Sequence, residues 1–236
     1  MHDLPRAILL DLDDTIVDLS GSADRCWQSV CERFAPRIEG LAPATLLAAI
    51  AQGRLWFWDD PERHRRGRLD LKRARREIVA AALSQLDVDA PALGNEVADT
   101  YAAERTEALE LMPGALDALR ALRGQVIRLA LVTNGTAEEQ RHKIGRFDLG
   151  KFFDYIVIEG EYGVGKPDER VYVHALEQLG AEPRQVWMVG DNLEWDVRAP
   201  QRLGIAGIWL DYAGQGLPAG SPVRPDRIIR SLSELV

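Results

Sequence analysis

The sequence predicts an α/β fold, a doubly wound parallel sheet whose first strand is followed by an inserted helical segment. Three observations carry that expectation. A short apolar run near the start ends in carboxylates; residues 20–110 show little but helical spacing; and beyond Pro113 strand-like and helix-like segments alternate. Alternation of this kind marks βαβ units, which need a parallel sheet with helices on both faces.

Taken in order, residues 7–12 form an apolar run broken by Asp11 and followed by Asp13, as expected of a strand buried on both faces that delivers carboxylates at its end. In the next segment Trp27, Val30, Cys31 and Phe34 recur at helical spacing, as do Leu71, Ala74, Ile78, Ala82 and Leu86. After Pro113 and Gly114 come a helix over 115–122, a strand over 126–133 and a helix containing 138–144. A strand over 155–159, a helix over 169–179, and strands over 186–189 and 205–210 follow. Pro200 predicts a kinked or short element after Asp196. The Gly- and Pro-rich stretch 213–225 predicts a long irregular loop.

The 236 residues are 46% hydrophobic and 28% charged, ordinary values for a globular chain, with room for one large domain or one carrying an insert. The net charge of -8 argues against nucleic acid or an anionic membrane as partner. Cys26 and Cys31, five apart in one expected helix, point in different directions, so neither a disulfide framework nor a zinc site is expected. The run AILL is too short for a signal peptide core, no segment is long enough to span a bilayer, and the expected location is cytoplasmic.

Ligands of an open parallel sheet bind beyond the carboxyl ends of its strands, so the residues there carry the functional signal. Asp11 and Asp13 end the first strand. Thr133-Asn134-Gly135 ends the second, Gly190-Asp191 ends the strand over 186–189, and a further loop supplies Gly163 to Pro167 with Lys166. Two carboxylates two apart on extended chain share a face, which costs stability unless a cation or proton compensates. With Asp191 as a third carboxylate, one Lys and no clustered His or Cys, the donor set suits a hard cation, and Mg²⁺ is the expected cofactor. Thr133 and Asn134, with backbone amides at the Gly135 turn and the charge of Lys166, would cradle phosphoryl oxygens.

The segments DLDDT, LVTNG, GVGKPD and GDNLEWD, in that order, resemble the four motifs of the haloacid dehalogenase superfamily, in its branch with a helical cap inserted after the first strand. The resemblance implies a Rossmann-like catalytic core from residues 1–19 and 111–236, with a cap at 20–110. It further implies that Asp11 is a nucleophile that becomes phosphorylated and that Asp13 is the general acid and base. Asp11, the backbone carbonyl of Asp13, and Asp191 would hold Mg²⁺; Thr133 and Lys166 would bind the phosphoryl group; Asp196 would stand behind them, orienting Lys166 or a metal-bound water. Asp13 favours a phosphatase over a dehalogenase. Trp195 and Glu169 depart from the family pattern, where a smaller polar residue and a Pro are frequent.

The expected activity is hydrolysis of a small phosphorylated metabolite. A 2-haloacid dehalogenase, a phosphomutase and a binding protein without catalysis remain as alternatives. Residues 62–77 hold Arg63, Arg65, Arg66, Arg68, Lys72, Arg73, Arg75 and Arg76 against Glu62, Asp70 and Glu77. Such a run is either a solvated face of a helix over 69–86 or a contact for a second anionic group on the substrate, with Arg68 the expected residue.

Overall fold

The computed structural model describes residues 4–236. Strand β1 (Ala7–Leu10) is buried at all four positions and lies at the centre of a six-stranded sheet. A tight turn after it, in which the amides of Ile16 and Val17 both donate to the carbonyl of Leu12, leads into the two-residue strand β2 (Val17–Asp18). Then come the helices α1 (Ser20–Phe34), α2 (Pro43–Trp58), α3 (Pro61–Gly67), α4 (Leu71–Gln85) and α5 (Pro91–Glu107). Strand β3 (Glu110–Leu111) returns to pair antiparallel with β2.

The rest alternates: α6 (Ala115–Arg123), β4 (Arg128–Thr133), α7 (Ala137–Arg146), β5 (Tyr155–Ile158), α8 (Glu159–Tyr162), α9 (Glu169–Leu179), β6 (Val186–Gly190), α10 (Ala199–Gln201), β7 (Ala206–Leu210) and β8 (Arg227–Ile229). The sheet order is β5-β4-β1-β6-β7-β8, every pair parallel. The chain leaves β1 on one side for β4 and β5, then crosses to β6, β7 and β8. This reversal opens a crevice beside the end of β1, where doubly wound sheets bind ligands.

Contacts divide the chain into two compact units, one of the described residues up to Asp18 with Glu110–Val236, the other Leu19–Leu109. In the first, α9 lays Val171, Tyr172, Ala175, Leu176 and Leu179 against Leu9, Ala130, Val132 and Met188 of the sheet. In the second, the inward stripes of α1, α2, α4 and α5 share a core around Trp27, which stacks on Tyr101 at 3.6 Å between ring centroids. Cys26 and Cys31 are free, buried thiols of that core. No helix among the described residues is long and apolar enough to cross a membrane.

The structure corrects several expected boundaries. Val126 is fully exposed and β4 begins at Arg128, because an apolar run does not reveal where pairing with β1 starts. Helix α4 begins at Leu71, where the Asp70 carboxylate accepts the amide of Arg73 as a cap. The adjacent aromatics Trp56 and Phe57, which helical spacing leads one to expect in the core of the insert, divide: Phe57 is buried, and Trp56 is about half exposed under the Arg63 guanidinium. Strand β8 emerges from the Gly- and Pro-rich stretch and was not expected at all.

Candidate active site

The amide of Asp11 continues the sheet ladder by donating to Val189, so the carboxylate of Asp11 stands directly past the end of β1, nearly buried. Lys166 reaches it from the loop between α8 and α9. Its Nζ donates to Asp11 Oδ1 at 2.6 Å and to Asp196 Oδ1 at 2.7 Å, and the residue is 1% exposed. Thr15 makes a longer contact to Asp11 Oδ2 at 3.3 Å.

Lys166 is placed by Asn134. The Asn134 amide donates to the Lys166 carbonyl and accepts from its N–H, both at 2.7 Å, tying the end of β4 to this loop. One donor and one acceptor of that side chain are thereby used, so Asn134 clamps Lys166, and one N–H of its amide remains for the phosphoryl contact expected from sequence. The Gly135 N–H is likewise used, donating to the buried carboxylate of Glu159. Gly165 threads between these groups: a Cβ there would lie 2.5 Å from Glu159 Cδ and 2.6 Å from Asn134 Oδ1.

Asp196, fully buried, lies in a π-helical turn (Leu193–Arg198) capped by Asn192, whose side chain accepts the amides of Glu194 and Trp195. Pro200 follows in the single turn of α10, as expected of a residue that cannot donate to a continuing helix. Asp196 Oδ2 accepts the Asn192 amide at 3.0 Å, and the Tyr172 hydroxyl donates to the Trp195 carbonyl, fixing the turn from α9. Asp191, at the end of β6, has its carbonyl held by the Trp209 indole at 2.7 Å. Among the described residues Asp11, Asp191 and Asp196 bring carboxylate oxygens within 4.8 Å of one another.

Asp13 points elsewhere. Both its oxygens take Lys143 Nζ, at 2.7 and 2.8 Å, and Oδ2 also takes Gln140 Nε2 at 3.0 Å. Gln140 donates further to the Thr133 hydroxyl at 2.6 Å. Neither Lys143 nor Gln140 was singled out in the sequence. The available signal was their i, i+3 spacing in a helix that must start just after LVTNG, which turns both toward the strand ends.

Four strand-end segments thus converge, as the motif order implied. The model of the haloacid dehalogenase-like hydrolases matches residues 5–204. The chain belongs to this family. It is 25% identical to N-acylneuraminate-9-phosphatase of Rattus norvegicus, over 98% of this chain and 92% of that one. It is 36% identical to phosphoserine phosphatase of Thermus thermophilus over 62% of this chain and 57% of the relative, little more than half of that relative's length. A HAD-hydrolase of Bacillus subtilis, solved bound to magnesium, shares the fold with a TM-score of 0.76 at 23% identity, covering 99% of this chain and 97% of that one.

The electrostatics of this haloacid dehalogenase-like site are those of a carboxylate cluster that could hold a cation. Burial pushes the Asp11 carboxyl up from 3.8 to about 7, Asp196 and Asp13 adding to the rise while Lys166 opposes it. Asp191 is drawn up to about 9 by loss of hydration and by Asp11, Asp196 and Asp14, although part of its surface is open. Burial would lower Lys166, but Asp11 and Asp196 outweigh it and hold its proton firmly. Asp196 accepts Lys166 and the Asn192 amide at short range, whereas Asp11 Oδ2 has only a 3.3 Å contact to Thr15, so Asp11 and Asp191 are the more open carboxylate donors of the three. Oxygen donors without His or Cys fit a divalent cation such as Mg²⁺.

A stability prediction follows from the sign of these shifts. The folded state keeps protons on Asp11 and Asp191 that the unfolded chain releases near 3.8, so without metal the protein loses stability as pH rises above about 3.8, the Asp11 contribution being gone by about 7 and the Asp191 contribution by about 9. A divalent cation held by Asp11 and Asp191 would ease the repulsion and add binding energy. The expected gain in Tm on replacing EDTA with Mg²⁺ is therefore several degrees larger at pH about 8 than at pH about 5.5. Equal gains at both would contradict it.

Arg68 belongs to the helical unit, at the end of α3 and three residues before α4 begins. Much of the surrounding basic run is paired: Arg66 and Arg73 with Glu77, Arg76 with Asp99, Arg65 with Glu62. Exposed pairs of this kind are screened by solvent and contribute little to stability. They account for those arginines as a solvated face.

Proposed function

We propose that the chain is a Mg²⁺-dependent phosphatase that hydrolyses a small phosphorylated metabolite through a phospho-aspartate at Asp11. The observation that carries this reading is the 2.6 Å contact between Lys166 and Asp11, which sets a buried carboxylate against a fixed cation. One Asp11 oxygen attacks phosphorus as the bond to the leaving oxygen breaks, and Asp13 gives that oxygen its proton. Asp13 then takes a proton from water, which attacks phosphorus; the bond to Asp11 breaks, and inorganic phosphate leaves. Lys166 balances charge at Asp11 throughout, and the Thr133 hydroxyl, which accepts Gln140 Nε2 at 2.6 Å and makes only a long 3.3 Å donor contact to the Asn134 carbonyl, gives its proton to a phosphoryl oxygen. Asp11, Asp191 and the Asp13 carbonyl would hold Mg²⁺, which supplies neutralisation of the phosphoryl oxygens.

Relatives named as phosphatases of phosphoserine, N-acylneuraminate 9-phosphate and glyceraldehyde 3-phosphate support a small metabolite as substrate. The helical unit acts as a cap that sets substrate choice. Incubation with a panel of phosphate esters and a 2-haloacid, with and without Mg²⁺, tests the reading. Phosphate release only with Mg²⁺ is expected; halide release, phosphoryl transfer within the substrate, or silence would each overturn it. For the second anionic group, Arg68→Ala is expected to lower kcat/KM about tenfold or more on the best natural ester and to leave a plain aryl phosphate unchanged. Equal effects on both would remove Arg68 from specificity.

A further inference from the structure

The site contains two buried lysines, each committed to a different carboxylate. Lys166 serves Asp11 and Asp196; Lys143, whose side chain is 7% exposed, spends its ammonium on both oxygens of Asp13. An ammonium at that depth is costly unless it is paired and hydrogen-bonded, so its contact with Asp13 is a built feature. Gln140, one helical turn earlier, turns its amide nitrogen to the same carboxylate, while its own Oε1 is buried without a protein partner. An amide flipped to satisfy Oε1 would aim an oxygen at the Asp13 carboxylate. The orientation kept lets Nε2 serve Asp13 together with the Thr133 hydroxyl at 2.6 Å and the Asn134 carbonyl at 2.7 Å.

The two residues project from successive turns of α7, whose start is fixed by Thr136, three residues past the end of β4, the side chain of which accepts the Glu139 amide. Asp13 itself remains about a quarter open, its carboxyl turned to a rigid anchor on one side and to solvent on the other. We propose that Lys143, seconded by Gln140, is a positioning residue for Asp13, fixing the rotamer from which this carboxyl meets the leaving oxygen. It acts through Asp13 and not on the phosphoryl group. The proposal rests on the reading of Asp13 as the leaving-group acid.

The test is kcat/KM for a series of aryl and alkyl phosphates of rising leaving-group basicity, since this quantity reports the step in which the ester bond breaks. The variants are Asp13→Asn, Lys143→Met, Lys143→Arg and the double Asp13→Asn/Lys143→Met, each checked for folding by thermal melt. Asp13→Asn should lose on the order of 100-fold on poor leaving groups and little on activated ones. Lys143→Met should show the same steepening at about tenfold, Lys143→Arg should recover part of it, and the double variant should be no worse than Asp13→Asn alone. A steep Asp13→Asn profile beside a flat loss in Lys143→Met, or losses that multiply in the double variant, would overturn the role of Lys143 alone. A flat Asp13→Asn profile would remove Asp13 as acid and Lys143 with it. Should Lys143→Met fail to fold, Lys143→Arg decides: a loss uniform across leaving groups overturns the proposal, and a loss confined to poor ones supports it.

Discussion

Asp11→Asn is expected to abolish turnover, by on the order of 10⁴-fold or more, while the protein remains folded. The amide has the shape of the carboxylate but cannot attack phosphorus and is a poor ligand for a hard cation, so two functions fall together. Stability should move the other way. Burial raises the Asp11 carboxyl to about 7, so at pH about 8 it is ionised at a cost, to which the like charges of Asp196 and Asp13 add. Removing its charge should leave Tm in EDTA at pH about 8 unchanged or raised, with Lys166 still bonded to Asp196. Substantial Mg²⁺-dependent turnover by this variant would contradict the assignment, and a collapse of the fold would contradict the electrostatic account.

Lys166→Met is expected to lose both activity and stability. Its ammonium is the shared partner of Asp11 and Asp196, and Asp196 is fully buried. Removing one side of a buried pair leaves an uncompensated charge, a cost of about 3–5 kcal/mol at neutral pH. The orphaned carboxyls escape part of that cost by taking up protons, so the deficit relative to wild type should shrink as pH falls. Denaturant unfolding of both proteins at pH about 5 and about 8 checks this: a deficit independent of pH would mean that the loss reflects packing around the Met side chain and not charge.

The sheet was legible in the sequence because strands buried on both faces must be continuous apolar runs, as in Leu129–Val132 and Met188–Val189. The three-residue β8, with Arg227 and Ile228 exposed at the sheet edge, has no such signature, and neither have the two-residue strands β2 and β3. Asp11, Asp191 and Lys166 were legible as candidate site residues because polar groups at several strand ends have few other reasons to recur together; Asp196 entered only through the family resemblance. Sequence could not say how each side chain is spent. Asn134 was read as a ligand because an amide at a strand end looks like one, and nothing in the spacing showed that its two polar atoms also close on the Lys166 backbone. Lys143 stayed hidden for the opposite reason. A lysine between His142 and Ile144 in a polar helix reads as solvated, and only the fixed start of α7 turns it inward to Asp13.

Trapping the covalent intermediate is the most direct test of the central claim. Enzyme turning over a ³²P-labelled ester with Mg²⁺ would be quenched in acid, and the label mapped by peptide mass spectrometry, with Asp13→Asn used to slow release. The account predicts a hydroxylamine-labile phosphoryl group on Asp11, dependent on Mg²⁺ and absent from Asp11→Asn. Turnover with the label on another residue, or with none bound at any point of the reaction, would contradict it.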